Sequence, residues 1–186
     1  MFCQRVILHL DVDCFFAQVE ELRNPQYQGK PLGVRQQNII VTCNYPAREM
    51  GVPKLCSVRE AMKATGGRLI IVDSVMKRYR DAHRQIMQFL RGVTPLVEKT
   101  GIDECFVDIT ELVDQRLLEA MYRDERGSGS REYTVDTAGP VLADPTDQSV
   151  MECPTLSDIR LALGSQIAME IRHQLRKETG FTCCVG

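Results

Sequence analysis

Near the start of the chain, Arg5 to Asp11 (RVILHLD) form a β-rich run that stops at two aspartates, in Asp11-Val12-Asp13. Apolar Phe15, Val19 and Leu22 then recur at helical spacing within Cys14 to Leu22, and Asn24-Pro25 closes the segment. This strand, turn and helix can fix carboxylates at the end of a rigid strand. Hard divalent cations prefer such oxygen ligands.

Pro31 to Val34 and Asn38 to Cys43 read as short strands around a polar turn, Arg35-Gln36-Gln37. Tyr45 to Met50 reads as a short helix ended by Gly51, and Ser57-Val58-Arg59-Glu60 has the spacing of a capping box, opening a helix that stops at Gly66-Gly67. A strand over Arg68 to Val72 leads to a helix over Ser74 to Leu90, with Tyr79, Ala82, Ile86 and Phe89 on one face. A hairpin should follow, its arms Val93 to Glu98 and Cys105 to Ile109, its turn Lys99-Thr100-Gly101, with Asp103-Glu104 just beyond. From 124 to 154 periodicity gives way to Gly, Ser, Asp and Pro, the composition of a flexible insertion. A helix over Ser157 to Lys177, stopped at Gly180, and a strand beginning near Cys184 end the chain.

Charge is divided unevenly. Residues 23 to 91 hold 13 Lys or Arg against 4 Asp or Glu, and the remainder 10 against 21. A basic segment suits phosphate or nucleic acid and a carboxylate-rich remainder suits divalent cations, although two solvated faces of opposite sign explain the charges equally well. The 8 cysteines include no C-x-x-C pair and mostly interrupt apolar segments, so buried reduced thiols are expected and zinc is not. No run is long enough to cross a bilayer and no secretory leader opens the chain, so a cytosolic or nuclear protein without a membrane partner is expected.

Each acidic pair alone is a common turn or cap feature. Together, carboxylates from two strands could hold two Mg2+ ions about 4 Å apart for phosphoryl transfer. Neighbours on a strand face opposite sides, so Asp103 and Glu104 can share one site only if the turn breaks that alternation.

The ordered blocks LHLDVDCFFAQVEELRNP, PLGV, TCNYPAREMGV, VDSVMKRYRDA and GIDECFVDIT resemble the motifs of Y-family (translesion) DNA polymerases, strongly over residues 5 to 112. GSQIAMEIR and GFTCCVG extend the match more weakly to the C-terminus, and the direct PLGVRQQNIIVTCNY run resembles the iota branch. The resemblance implies an α+β fold: a palm with an antiparallel or mixed sheet and helices on one face, from 1–14 and 76–186, and a small α/β fingers domain over 15–75. It implies template-directed transfer of dNTPs onto a DNA primer, in the nucleus, with two Mg2+ ions, Mn2+ being possible.

By the same resemblance Asp11, Asp103 and Glu104 are the catalytic metal-binding acids, and the Val12 carbonyl completes a metal shell. Asp13 is not a ligand and is free to cap the next helix. Phe16 falls at the steric gate that selects deoxynucleotides, although spacing alone makes it a core aromatic. Thr42, Tyr45 and Arg48 match triphosphate-holding residues, whereas Arg48 by itself reads as a surface charge. Gln36, Ile39 and Val41 match the pocket over the nascent base pair, a narrow site that in iota-like enzymes favours Hoogsteen pairing. Gln37 replaces a basic residue.

The resemblance also places a thumb, a little finger, a phosphate-contacting lysine and any contacts to a replication clamp or other bypass factors outside these 186 residues. Weak or no primer extension is therefore expected from this chain alone. A truncated, non-catalytic form binding metal–dNTP or a protein partner is the alternative. A palm-like cyclase or nuclease would share the acids but would not need Phe16, Tyr45 and Arg48 together.

Overall fold

The computed structural model describes residues 4–126 and 155–186. In chain order its elements begin with β1 (Ile7–Val12), α1 (Phe15–Arg23), β2 (Leu32–Gln36), β3 (Ile39–Cys43), α2 (Tyr45–Glu49), β4 (Cys56–Ser57) and α3 (Val58–Ala64). They continue with β5 (Ile70–Asp73), α4 (Met76–Val93), β6 (Val97–Lys99), β7 (Glu104–Asp108), α5 (Thr110–Arg126), α6 (Leu156–Thr179) and β8 (Cys183–Val185). The fold is α+β, and most boundaries lie within a few residues of those expected.

β1 alternates strictly, sending Leu8, Leu10 and Val12 inward and leaving Ile7, His9 and Asp11 outward. It lies inside an antiparallel sheet of order β6-β7-β1-β8. Its inward residues share one core with Cys105 and Val107 of β7, Tyr79, Ile86 and Leu90 of α4, Val113 of α5, and Ile167, Ile171 and Leu175 of α6. The helices thus cover one face of the sheet, and the face carrying Asp11 is left open.

A second sheet, of order β4-β3-β2-β5, is mixed, because β5 pairs parallel to β2 while the other pairs are antiparallel. It has its own small core of Ile40, Cys43, Ala47, Val52, Cys56, Ala61 and Leu69. Phe15, Ala17 and Val19 of α1, with Leu32 and Val34 of β2, belong instead to the larger core and tie the two sheets together. The capping box at Ser57 and Glu60 is present, and Gly180 ends α6 at φ +82°.

Four expectations change. Helix α5 has no counterpart among the expected elements, although Val113, Leu117 and Met121 recur at helical spacing; among its described side chains only Val113 is buried. Of the stretch expected as an insertion, 124–126 belong to α5, and 127–154 lie outside the described residues. Val93 belongs to α4 and not to the hairpin, because the Thr94 N–H still bonds to Leu90 O and carries the helix past Leu90. β2 runs through Gln36, so the turn is Gln37-Asn38, with Gln37 at φ +53°.

Among the described cysteines, Cys43, Cys56, Cys105 and Cys183 are buried thiols as expected. Cys14 is half-buried and Cys184 is exposed. Cys184 sits on the outward face of β8, and its thiol donates to the Asp13 carboxylate at 3.3 Å.

Candidate functional site

Asp11 is the last outward residue of β1 and lies opposite Glu104, the first residue of β7. Antiparallel partners bring Cα atoms to about 4.5–5.5 Å. Asp103 lies in the turn before β7, so strand alternation does not separate it from Glu104. The Val12 N–H donates to Asp103 O at 2.9 Å and pins the turn to the end of β1.

Gly101 leaves room beside the acids. A Cβ there would lie 2.8 Å from Glu104 Cγ and 3.3 Å from both Asp103 Oδ1 and Glu104 Oε1. Those two oxygens are therefore separated by no more than twice the latter distance. Partial burial, and then repulsion from Asp103 and Glu104, hold the Asp11 carboxyl above the usual range. His9 Nε2 lies 3.6 Å from Glu104 Oε2, and the His9 ring packs on Phe106.

The donor set is hard oxygen and its members repel one another, which suits a divalent cation. The fit is partial, because among the described residues no three His, Cys, Asp or Glu side chains form a ready-made metal cage.

Asp13 does not cap α1. Cys14 occupies the N-cap position in a left-handed conformation, without a side-chain cap bond. The Asp13 carboxylate instead accepts from Thr182 Oγ1 at 2.8 Å and from Cys184, and Gln18 Nε2 donates to the Asp13 carbonyl. These bonds fasten the β1–α1 turn to the approach to β8.

A second group of side chains meets this rim. The charge of Asp13 is the first cause of a raised Tyr45 phenol pKa, followed by burial. Tyr45 and Asp13, with Cys14 and Thr182, help line a 300 Å³ hollow. Arg48 lies with its guanidinium carbon 5.3 Å from the centroid of the Tyr45 ring. Its Nε is buried without a hydrogen-bond partner. The Arg48 side chain also bonds the Cys43 thiol, and this partial burial counts against a plain surface charge. Burial raises the Cys14 thiol pKa, and Arg48 nearby opposes the rise.

Phe16 is half-buried and stacks flat on Tyr79, with centroids 3.9 Å apart and planes 9° from parallel. It is neither a buried core ring nor a free one. Tyr79 is fully buried, its hydroxyl donates to Glu20 at 3.1 Å, and its pKa is pushed up to about 12, by burial first. Arg78 Nη1 completes the bracing of Glu20 at 2.9 Å.

Ile39 and Val41 share one face of β3, with Ile39 exposed beside its partner Gln36 and Val41 packed against the larger core. Thr42, half-buried and paired with Val34, takes the opposite side of the strand.

Asn44 was missed. It is 3% exposed, caps α2 through Ala47 N, accepts from Leu32 N at 3.0 Å, and donates to Glu21 and to Lys30 O at 2.7 Å each. It thereby fixes the helix that carries Tyr45 and Arg48. An Asn two residues before a proline is a helix-start signal that could have revealed it. The Glu20–Tyr79 contact spans 59 residues and left no local trace.

Residues 10–186 match the model of the impB/mucB/samB family, and the chain belongs to that family, the Y-family DNA polymerases. It is 41% identical over 182 residues to human DNA polymerase iota, covering 98% of this chain and 23% of that protein. To Drosophila melanogaster DNA polymerase iota it is 42% identical over 186 residues, covering 98% and 24%. Against DNA polymerase IV of Ralstonia nicotianae the identity is 38% over 186 residues, covering 98% and 39%. The chain thus spans about a quarter of the length of the iota relatives. A solved structure, the Dbh ternary complex with partially disordered substrates, matches with a TM-score of 0.67 at 25% identity, over 97% of this chain and 40% of that one.

Proposed function

We propose that this chain is the catalytic front portion of a translesion DNA polymerase of the iota type, with palm residues 1–14 and 76–186 and fingers residues 15–75. Two sheets with separate cores support that division, although α1 packs into the larger core. One observation carries the reading. Asp11, Asp103 and Glu104 meet at one rim, and Tyr45, with Arg48 over its ring, lines a hollow with Asp13 and Cys14 beside it.

In this reading Asp11, Asp103, Glu104 and the Val12 carbonyl hold divalent cations, Mg2+ or Mn2+. Bound there, the ions would neutralise phosphate charge and acidify the primer 3′-hydroxyl. Arg48 donates to the triphosphate through its guanidinium, which is a charge-assisted contact. Tyr45 and Thr42 donate hydroxyl hydrogen bonds to the same phosphates. Phe16, held flat by Tyr79, closes the space a 2′-hydroxyl would need. Gln36, Ile39 and Val41 cover the nascent base pair. DNA primer–template and dNTP are the partners, a replication clamp or other bypass factors would bind elsewhere in a longer protein, and the compartment is the nucleus. Among the described residues no helix is long and apolar enough to cross a membrane.

Calorimetric titration of dNTP in Mg2+ tests the site. Binding should depend on the metal, and Glu104→Ala and Arg48→Ala should each weaken it at least tenfold. Equal binding by both variants would end the proposal. Metal-dependent binding without any primer extension would favour the non-catalytic form.

A further inference from the structure

The outward side of α4 carries a recess that the proposed chemistry leaves unused. Lys77, Arg80, Asp81 and Arg84 recur at helical intervals on the side away from buried Tyr79, Ala82 and Ile86. With His83, and with Lys99 from the end of β6, they line a 400 Å³ hollow. Asp81 is the sole carboxylate in that lining, and Arg84 already pairs with it. Among the described residues, Lys77, Arg80 and Lys99 have no ion-pair partner. Burial first, and then the charges of Lys99 and Arg91, lower the His83 pKa, while its bond to the Ile102 backbone and the charge of Asp103 oppose the shift.

The position of the hollow matters as much as its sign. Lys99 leads directly into the turn that carries Asp103 and Glu104, and His83 contacts the Ile102 backbone inside that turn. Lys77 to Arg84 covers about 10 Å of helix axis at 1.5 Å per residue. A nucleic-acid strand rises about 3.4 Å per nucleotide, so the row can meet two or three consecutive phosphates. A single compact anion would not use its length.

We propose that this recess binds the phosphates of a nucleic-acid backbone and guides the strand past the turn that bears the acids. The electrostatic claim stands on the recess itself, and only the alignment of the strand with the acids rests on the polymerase reading.

The test is fluorescence anisotropy of a fluorescein-labelled primer–template over a salt series. The triple variant Lys77→Gln, Arg80→Gln, Lys99→Gln changes exposed residues, and its fold is checked by circular dichroism. We expect at least tenfold weaker binding at low salt, and a salt-dependence slope smaller by about 2–3, since each lost phosphate contact removes about 0.9. A control with the same charge change on α6, Arg172→Gln, Arg176→Gln, Lys177→Gln, should retain the parental affinity. The proposal fails if the control loses as much as the triple variant, if the triple variant keeps affinity and slope, or if the unaltered chain does not bind at low salt. It fails equally if tripolyphosphate binds the recess while the triple variant holds DNA normally, which would mark a free-anion site. Loss of Mg2+–dNTP binding in Asp103→Ala, with DNA affinity intact, reports on the polymerase reading separately.

Discussion

Replacing Asp11 by Asn should make the metal-free protein more stable, although Asp11 stands at the centre of the proposed chemistry. The raised carboxyl pKa means that folding works against this charge, because burial removes water and Asp103 and Glu104 stand beside it. For an acid whose folded pKa lies above its unfolded value, the favourable contribution is complete below the unfolded pKa, near 3.8. It is lost as pH rises through the folded value, so at neutral pH the ionised group is a net cost.

Two unit charges 4 Å apart cost about 1 kcal/mol in water and more as the effective dielectric falls. Screening at this exposed rim leaves about 0.5–1 kcal/mol for removing the Asp11 charge. In a protein of this size that is a rise of about 1–4 °C in Tm. Mg2+ should reverse the order, since an ion at ten times its Kd stabilises the unaltered chain by about 1.4 kcal/mol and should do little for a site missing one ligand. Thermal melts at pH 7 in EDTA and in excess Mg2+ measure both effects. If Asp11→Asn melts lower than the parent in EDTA, or gains as much from Mg2+, the carboxylates are not a mutually repelling cation site.

Asn44→Ala should cost about 2–3 kcal/mol in urea unfolding, because it strips a buried cap from α2 and leaves Leu32 N unsatisfied; a loss under about 0.5 kcal/mol would show that α2 is anchored otherwise. Gly180→Ala should cost about 1–2 kcal/mol, since φ is +82° and the new Cβ would stand 2.8 Å from Leu22 Cδ2; an unchanged unfolding midpoint would contradict that strain. Phe16→Ala should narrow the difference between dNTP and rNTP binding in Mg2+, and unchanged sugar discrimination in a competition titration would remove the gate assignment.

Elements with strong local codes were legible from the residues alone. β1 declares itself by composition and by stopping at two acids, α3 by its capping box, and α6 by an apolar stripe closed at Gly180. Ordered motifs also marked the candidate acids, and the residues proposed to hold a triphosphate, before any coordinates. Helix α5 was not among the elements expected, although Val113, Leu117 and Met121 stand at helical spacing, and only Val113 of its described side chains is buried.

What tertiary structure alone decided is convergence. The pairing of Asp11 with Glu104 depends on strands 93 residues apart finding one register, and the role of Asp13 depends on bonds to Thr182 and Cys184, 169 and 171 residues away. Those contacts displaced the helix cap that local rules favour for an aspartate. Nothing near Phe16 announces Tyr79, and nothing near Lys77 announces Lys99. Local pattern sets which residues are hydrophobic, helical or charged. Which charges face one another is set by packing two cores against shared elements, a long-range choice that no short window of sequence contains.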